Sequence, residues 1–63
     1  MDAKTKQAVT KSIIEHKQQM NEELLRAIDI LENADGKTSQ AVSVLRAKYY
    51  LNQDRIKVLE AES

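Results

Sequence analysis

The apolar positions of the C-terminal half recur with a regular beat. Val42, Leu45, Tyr49, Asn52, Ile56 and Leu59 are spaced three and four residues apart in alternation. That rhythm keeps every member on one stripe of an α-helix and marks a heptad seam. A second line with the same rhythm runs through Val44, Ala47, Leu51, Asp54, Val58 and Ala61 on a different face. The N-terminal half is doubled in the same way. Val9, Ile13, His16, Met20, Ala27 and Ile30 form one line, while Ile14, Leu24, Ile28 and Leu31, with Leu25 beside them, form another. One neighbouring helix covers one stripe, so helices with two stripes ask for two neighbours each.

The strong break is Asn33-Ala34-Asp35-Gly36-Lys37, which holds the sole glycine. Glycine just past a helix end adopts the left-handed conformation that closes the last turn, so Gly36 reads as a C′ stop. Thr38 or Ser39 is a candidate N-cap for a second helix, and Asp2 is one for the first. The spacing predicts helix 1 over about 3–34, a turn over about 35–37 and helix 2 over about 38–61. A short loop between two long helices gives an antiparallel hairpin. The expected fold is therefore all-α, a single domain, with two hairpins closing into a four-helix bundle as the simplest way to cover the remaining stripes.

Composition narrows the classes. The chain has 63 residues, no Cys, no Pro and no Trp. No disulfide and no thiolate metal site can form. Chains this small seldom bury enough apolar surface alone and often oligomerise. No apolar run approaches the ~18 residues that span a bilayer, and Met1-Asp2-Ala3-Lys4 opens without the apolar stretch of a secretory signal. A cytoplasmic chain without membrane contact is the expectation.

Charge adds orientation. Ten Lys and Arg balance ten Asp and Glu. Zero net charge disfavours general nucleic-acid binding, whose affinity rests on phosphate neutralisation. The charges are nevertheless blocked. Glu22, Glu23, Asp29, Glu32 and Asp35 outweigh Arg26 before the break, and Lys37, Arg46, Lys48, Arg55 and Lys57 outweigh Asp54 after it. Folding at Gly36 sets the acidic block beside the basic one, which selects the antiparallel pairing even though each exposed pair contributes little.

Candidate chemistry is sparse. His16 is the single imidazole, and its helical neighbours Ser12, Ile13, Gln19 and Met20 include no second strong metal ligand. The ordinary reading is a polar core layer in which His16 bonds to Asn52 and fixes register. Adjacent carboxylates such as Glu22 and Glu23 point apart on a helix and form no acid/base dyad. No phosphate loop, Ser/His/Asp set or nucleophile elbow is present. A non-enzymatic chain that needs no cofactor and no metal is expected.

Arg46, Tyr50, Gln53 and Lys57 make an exposed stripe along helix 2. Arg and Tyr favour protein contacts, and the same residues suit stacking on RNA. The expected interface residues are Leu24, Ile28, Val42, Val44, Leu45, Leu51, Ile56 and Val58. In architecture the chain resembles the small plasmid RNA-binding hairpin dimers of the Rop type, and also the small type III secretion co-chaperones. Both likenesses are of shape, and no site residue is carried over from either. The function expected first is protein binding, by self-association or by completing a partner's helical surface, as a small regulator, adaptor or co-chaperone. A dimeric RNA- or DNA-binding regulator and a structural subunit of a phage or secretion assembly are the alternatives.

Overall fold

The computed structural model describes residues 2–34 and 39–62. Two helices carry the chain: α1, Ala3–Glu32, and α2, Ser39–Glu62. They pack against each other along their length as an antiparallel hairpin. Neither helix contains Gly or Pro, so nothing in their interiors interrupts the hydrogen-bond ladder. Among the described residues there is no strand, and no helix is long and apolar enough to cross a membrane.

The start of α1 follows its expectation. Asp2 is extended at φ −75°, ψ 167°, and its Oδ1 accepts from the Thr5 N–H at 2.7 Å. Its carbonyl takes the first helical bond from the Lys6 N–H at 3.0 Å. The Thr5 N–H, an orphan donor of the first turn, is satisfied by the Asp2 side chain. The end of α1 differs. The helix stops at Glu32, two residues before the expected boundary, because Asn33 caps it. The Asn33 N–H donates to the Asp29 carbonyl at 3.1 Å, and its Nδ2 folds back onto the same oxygen at 2.7 Å. The Ala34 N–H then reaches the Leu31 carbonyl at 3.2 Å, a tighter i→i+3 bond that ends the coil. Ser39 is the first residue of α2 rather than its cap. The expected turn at 35–37, the Gly36 stop and the Thr38 cap lie outside the described residues.

The seam between the helices is a heptad zipper with polar insertions. On α2 it is the first of the two lines: Val42 and Ile56 are buried, and Leu45, Tyr49, Asn52 and Leu59 are half-buried. On α1 it runs through Thr10, Ile14, Lys17, Asn21, Leu24, Ile28 and Leu31, again in 4-3 alternation. The apolar members of that line were visible in the sequence. Thr10, Lys17 and Asn21, which complete it, were not recognised because their polarity hides them from an apolar pattern. Register follows from two cross-helix contacts. Asn21 reaches the backbone of Tyr49, and Glu32 pairs with Arg46 at 2.8 Å. The pair joins the acidic block of α1 to the basic block of α2, as the charge pattern anticipates.

The enclosed core is small. Ile28, Val42 and Ile56 are the buried hydrophobic residues among those described, at 4–7% exposure. The molecule is a rod of 52 × 14 × 13 Å with a radius of gyration of 15.1 Å. A compact chain of this length has a radius of about 11 Å. Its surface is 5135 Å², whereas a compact monomer of this mass exposes about 4,100 Å². The rod therefore presents about 1,000 Å² more than a globule would.

Two consequences are measurable. Ile56→Ala should lower unfolding stability by ~2–5 kcal/mol, and Leu45→Ala by less, since Leu45 is only half-buried. Urea titration followed by circular dichroism reads both, and equal losses would contradict this seam. The second concerns Asp2. The Thr5 backbone N–H first, and the Thr5 side chain second, donate to the Asp2 carboxyl and hold it below its ordinary value of 3.8. A carboxyl whose folded pKa is depressed contributes stability that is present above the unfolded value and lost as pH falls through the folded one. Asp2→Asn should therefore narrow the difference in thermal stability between pH 7 and pH 3. An unchanged pH profile would exclude a working cap.

Candidate functional site

The seam divides the hairpin into two unlike broad sides. Residues that precede the seam positions of both helices project to one side of an antiparallel pair, and residues that follow them project to the other. On α1 the first side carries Val9, Ile13, Met20, Ala27 and Ile30, with His16 and Glu23 among them. On α2 it carries Ala41, Val44, Leu51 and Val58, with Lys48 and Arg55 interspersed. Ile13 and Lys17 of α1 share an open groove of about 410 Å³ with Arg55, Val58 and Leu59 of α2, which joins the two lines into one surface. Seven large apolar side chains on this side are between 41% and 69% exposed.

The line through Val9 and Ile30 on α1 and the line through Val44 and Val58 on α2 are thus outward faces of the hairpin, and both fall on the same side. Among the expected interface residues, Val44, Leu51 and Val58 lie there. Leu24, Ile28, Val42, Leu45 and Ile56 do not, because they are buried or half-buried within the hairpin seam. They hold the two helices together and leave the outer contact to the other three.

The opposite side is more polar, with Leu25 and Tyr50 as its exposed large hydrophobic residues among those described. The Arg46–Glu32 pair spans it near one end, with both side chains about half exposed. Further along, Gln18 and Glu22 of α1 and Tyr49 and Gln53 of α2 frame a shallow notch of about 200 Å³ with Asn21 at its floor. Gln53 Nε2 donates to the Tyr49 hydroxyl at 2.9 Å. The Tyr49 and Tyr50 rings meet edge to face at 5.4 Å, a favourable aromatic geometry. The stripe expected from Arg46, Tyr50, Gln53 and Lys57 is therefore broken. Tyr50 and Lys57 are exposed, but Gln53 is half-buried against Tyr49 and Arg46 is engaged by Glu32.

The polar layer also differs from expectation. His16 is exposed on the apolar side and does not meet Asn52, which sits half-buried in the seam. The reason is register: His16 is two positions past Ile14, so the helix turns it well away from the seam. The buried polar residue is Asn21, only 4% exposed. Its Nδ2 donates to the Tyr49 carbonyl at 3.2 Å, and its Oδ1 has no partner among the described residues. Asn21 occupies the seam slot seven residues before Ile28 and seven after Ile14, so continuing that spacing through polar residues would have found it.

Among the described residues, no group of three or more His, Asp or Glu is placed to hold a metal ion. Comparison with protein-family models, with curated proteins and with solved structures gives no match. The arrangement itself carries the functional argument: one side of the rod is lined with exposed apolar side chains, and the other is more polar and holds a shallow notch.

Asn21 offers a direct test of the seam. An unpartnered buried acceptor costs about 1–3 kcal/mol, and the Tyr49 carbonyl keeps its helical bond if Asn21 is removed. Asn21→Leu should therefore raise unfolding stability by roughly 1–3 kcal/mol. A fall in melting temperature would mean that the amide stabilises the hairpin on balance.

Proposed function

We propose that this chain is a non-enzymatic protein-binding module that acts through the apolar side of its hairpin. It docks that side against helical surface, either of its own kind or of another protein, as a small regulator, adaptor or co-chaperone. The observation that carries this reading is the gathering of seven large, exposed apolar side chains on one side of a rod with three buried hydrophobic residues among those described. Soluble chains rarely leave so contiguous an apolar patch open to water unless something covers it. The patch is long and flat and lined by side chains at heptad spacing, which matches the ridges and grooves of another helix pair and not the concavity of a small-molecule site.

The polar side gives less support to nucleic-acid binding. Glu22 and Glu32 lie among its cations, and Arg46 is already neutralised. A phosphate backbone would meet as much repulsion as attraction there.

The test places a photo-reactive residue at position 51, on the apolar side, or at position 50, on the polar side, in cells of the native source. Position 51 should yield a discrete protein adduct, of the chain with itself or with another protein, and position 50 should not. The double variant Leu51→Gln, Val58→Gln should lose partner binding and keep hairpin helicity, because neither residue contributes to the seam. A chain that gives no adduct at 51 and unfolds identically at every concentration would overturn the reading.

A further inference from the structure

We infer that the occupant of the apolar side is a second copy of this chain, docked with the connections between α1 and α2 at the same end of a four-helix bundle. In that arrangement Glu23 of each copy sits between Lys48 and Arg55 of the other. This deepens the protein-binding reading above and rests on it.

The argument begins with area. A standard interface buries about 800 Å² on each partner. The rod exposes 5135 Å², about 1,000 Å² beyond a compact monomer of its mass. One copy laid on another along the 52 Å rod removes a surface of that size from both at once. A twofold contact also needs a patch that complements itself, and the charges supply the criterion.

Glu23, Lys48 and Arg55 are the charged residues set among the apolar side chains in the middle of this side. All three are exposed, and none takes part in an ion pair among the described residues. The Asn21–Tyr49 and Glu32–Arg46 contacts bracket the register from its two sides, and their midpoint puts Glu23 about level with Leu51, about one helical turn from Lys48 on one side and from Arg55 on the other.

Two twofold arrangements bring the apolar sides together. With the twofold axis along the rod, α1 of one copy lies over α2 of the other at the same level. Each Glu23 then faces Lys48 and Arg55 across the interface, Ile30 meets Val44, and Met20 lies beside Leu51. With the axis perpendicular to the rod, α1 lies over α1 and α2 over α2. The two Glu23 carboxylates then come within about a turn of each other, and Lys48 and Arg55 of both copies crowd around the axis. Desolvated like charges oppose association, whereas opposite charges fix orientation. The first arrangement sets each Glu23 against cations of the other copy, whereas the second sets these charges against their own kind.

Two measurements test this. A spin label at Gln40→Cys, an exposed position near one end of the rod, reports which ends coincide. Same-end docking gives a separation within about 30 Å, and opposite-end docking gives about 40 Å or more. Glu23→Lys should weaken self-association by roughly tenfold, since symmetry doubles each change. Combining it with Lys48→Glu and Arg55→Glu should restore association. A short label distance with charge-swap rescue is the expected result. A dimer with the long distance, or one indifferent to the reversals, overturns the docking. A monomer whose position 51 cross-links only to a foreign protein overturns the second copy while leaving the protein-binding reading in place.

Discussion

The alternation of three and four residues along the α1–α2 seam is the constraint from which the rest of this molecule follows. It sets which stripe of each helix is turned inward and so decides which stripes are left outside. Ile28, Val42 and Ile56 close the contact, and Asn21 and Lys17 interrupt it. Because the helices run antiparallel, everything that precedes a seam position lands on one side of the rod and everything that follows lands on the other. The Val9–Ile30 line of α1 and the Val44–Val58 line of α2 both precede the seam, so they converge. One-sidedness in this chain is a geometric result of where a single seam was placed.

That geometry explains an imbalance in the energetics. A hairpin with three buried hydrophobic residues among those described has little to set against the conformational entropy of ordering two long helices. Local terms help: the Asp2 cap, the Asn33 side chain folded onto Asp29, and helices free of Gly and Pro. These stabilise helix ends without adding core. The unpartnered oxygen of Asn21 works the other way. A chain built like this gains most by covering its apolar side, and under the proposed binding role folding and association are one equilibrium. The structural economy and the proposed binding role are two descriptions of the same exposed surface.

The polar side shows how tertiary pairing redistributes residues that look equivalent in one dimension. Arg46, Tyr50, Gln53 and Lys57 share a stripe by spacing alone. Once α1 is alongside, Glu32 engages Arg46 and the Tyr49 hydroxyl engages Gln53, which leaves Tyr50 and Lys57 as the open members. A surface that might have read as cationic is thereby partly neutralised, and the contrast with the apolar side sharpens.

Much of this architecture was legible from the chain alone. The α2 seam, the Asp2 cap, the antiparallel sense and the surplus of apolar surface are all properties of local spacing and charge order, which the 3.6-residue helical period translates directly into geometry. Tertiary structure alone decided which of two competing stripes on each helix would face its sibling. It placed Asn21 inside and His16 outside, and it put Leu24, Ile28, Val42, Leu45 and Ile56 in the hairpin's own seam while Val44, Leu51 and Val58 remained on the surface. The physical reason is that periodicity defines stripes on one helix without ranking them. The ranking comes from how well two stripes interlock at a common register, and that is a property of the pair.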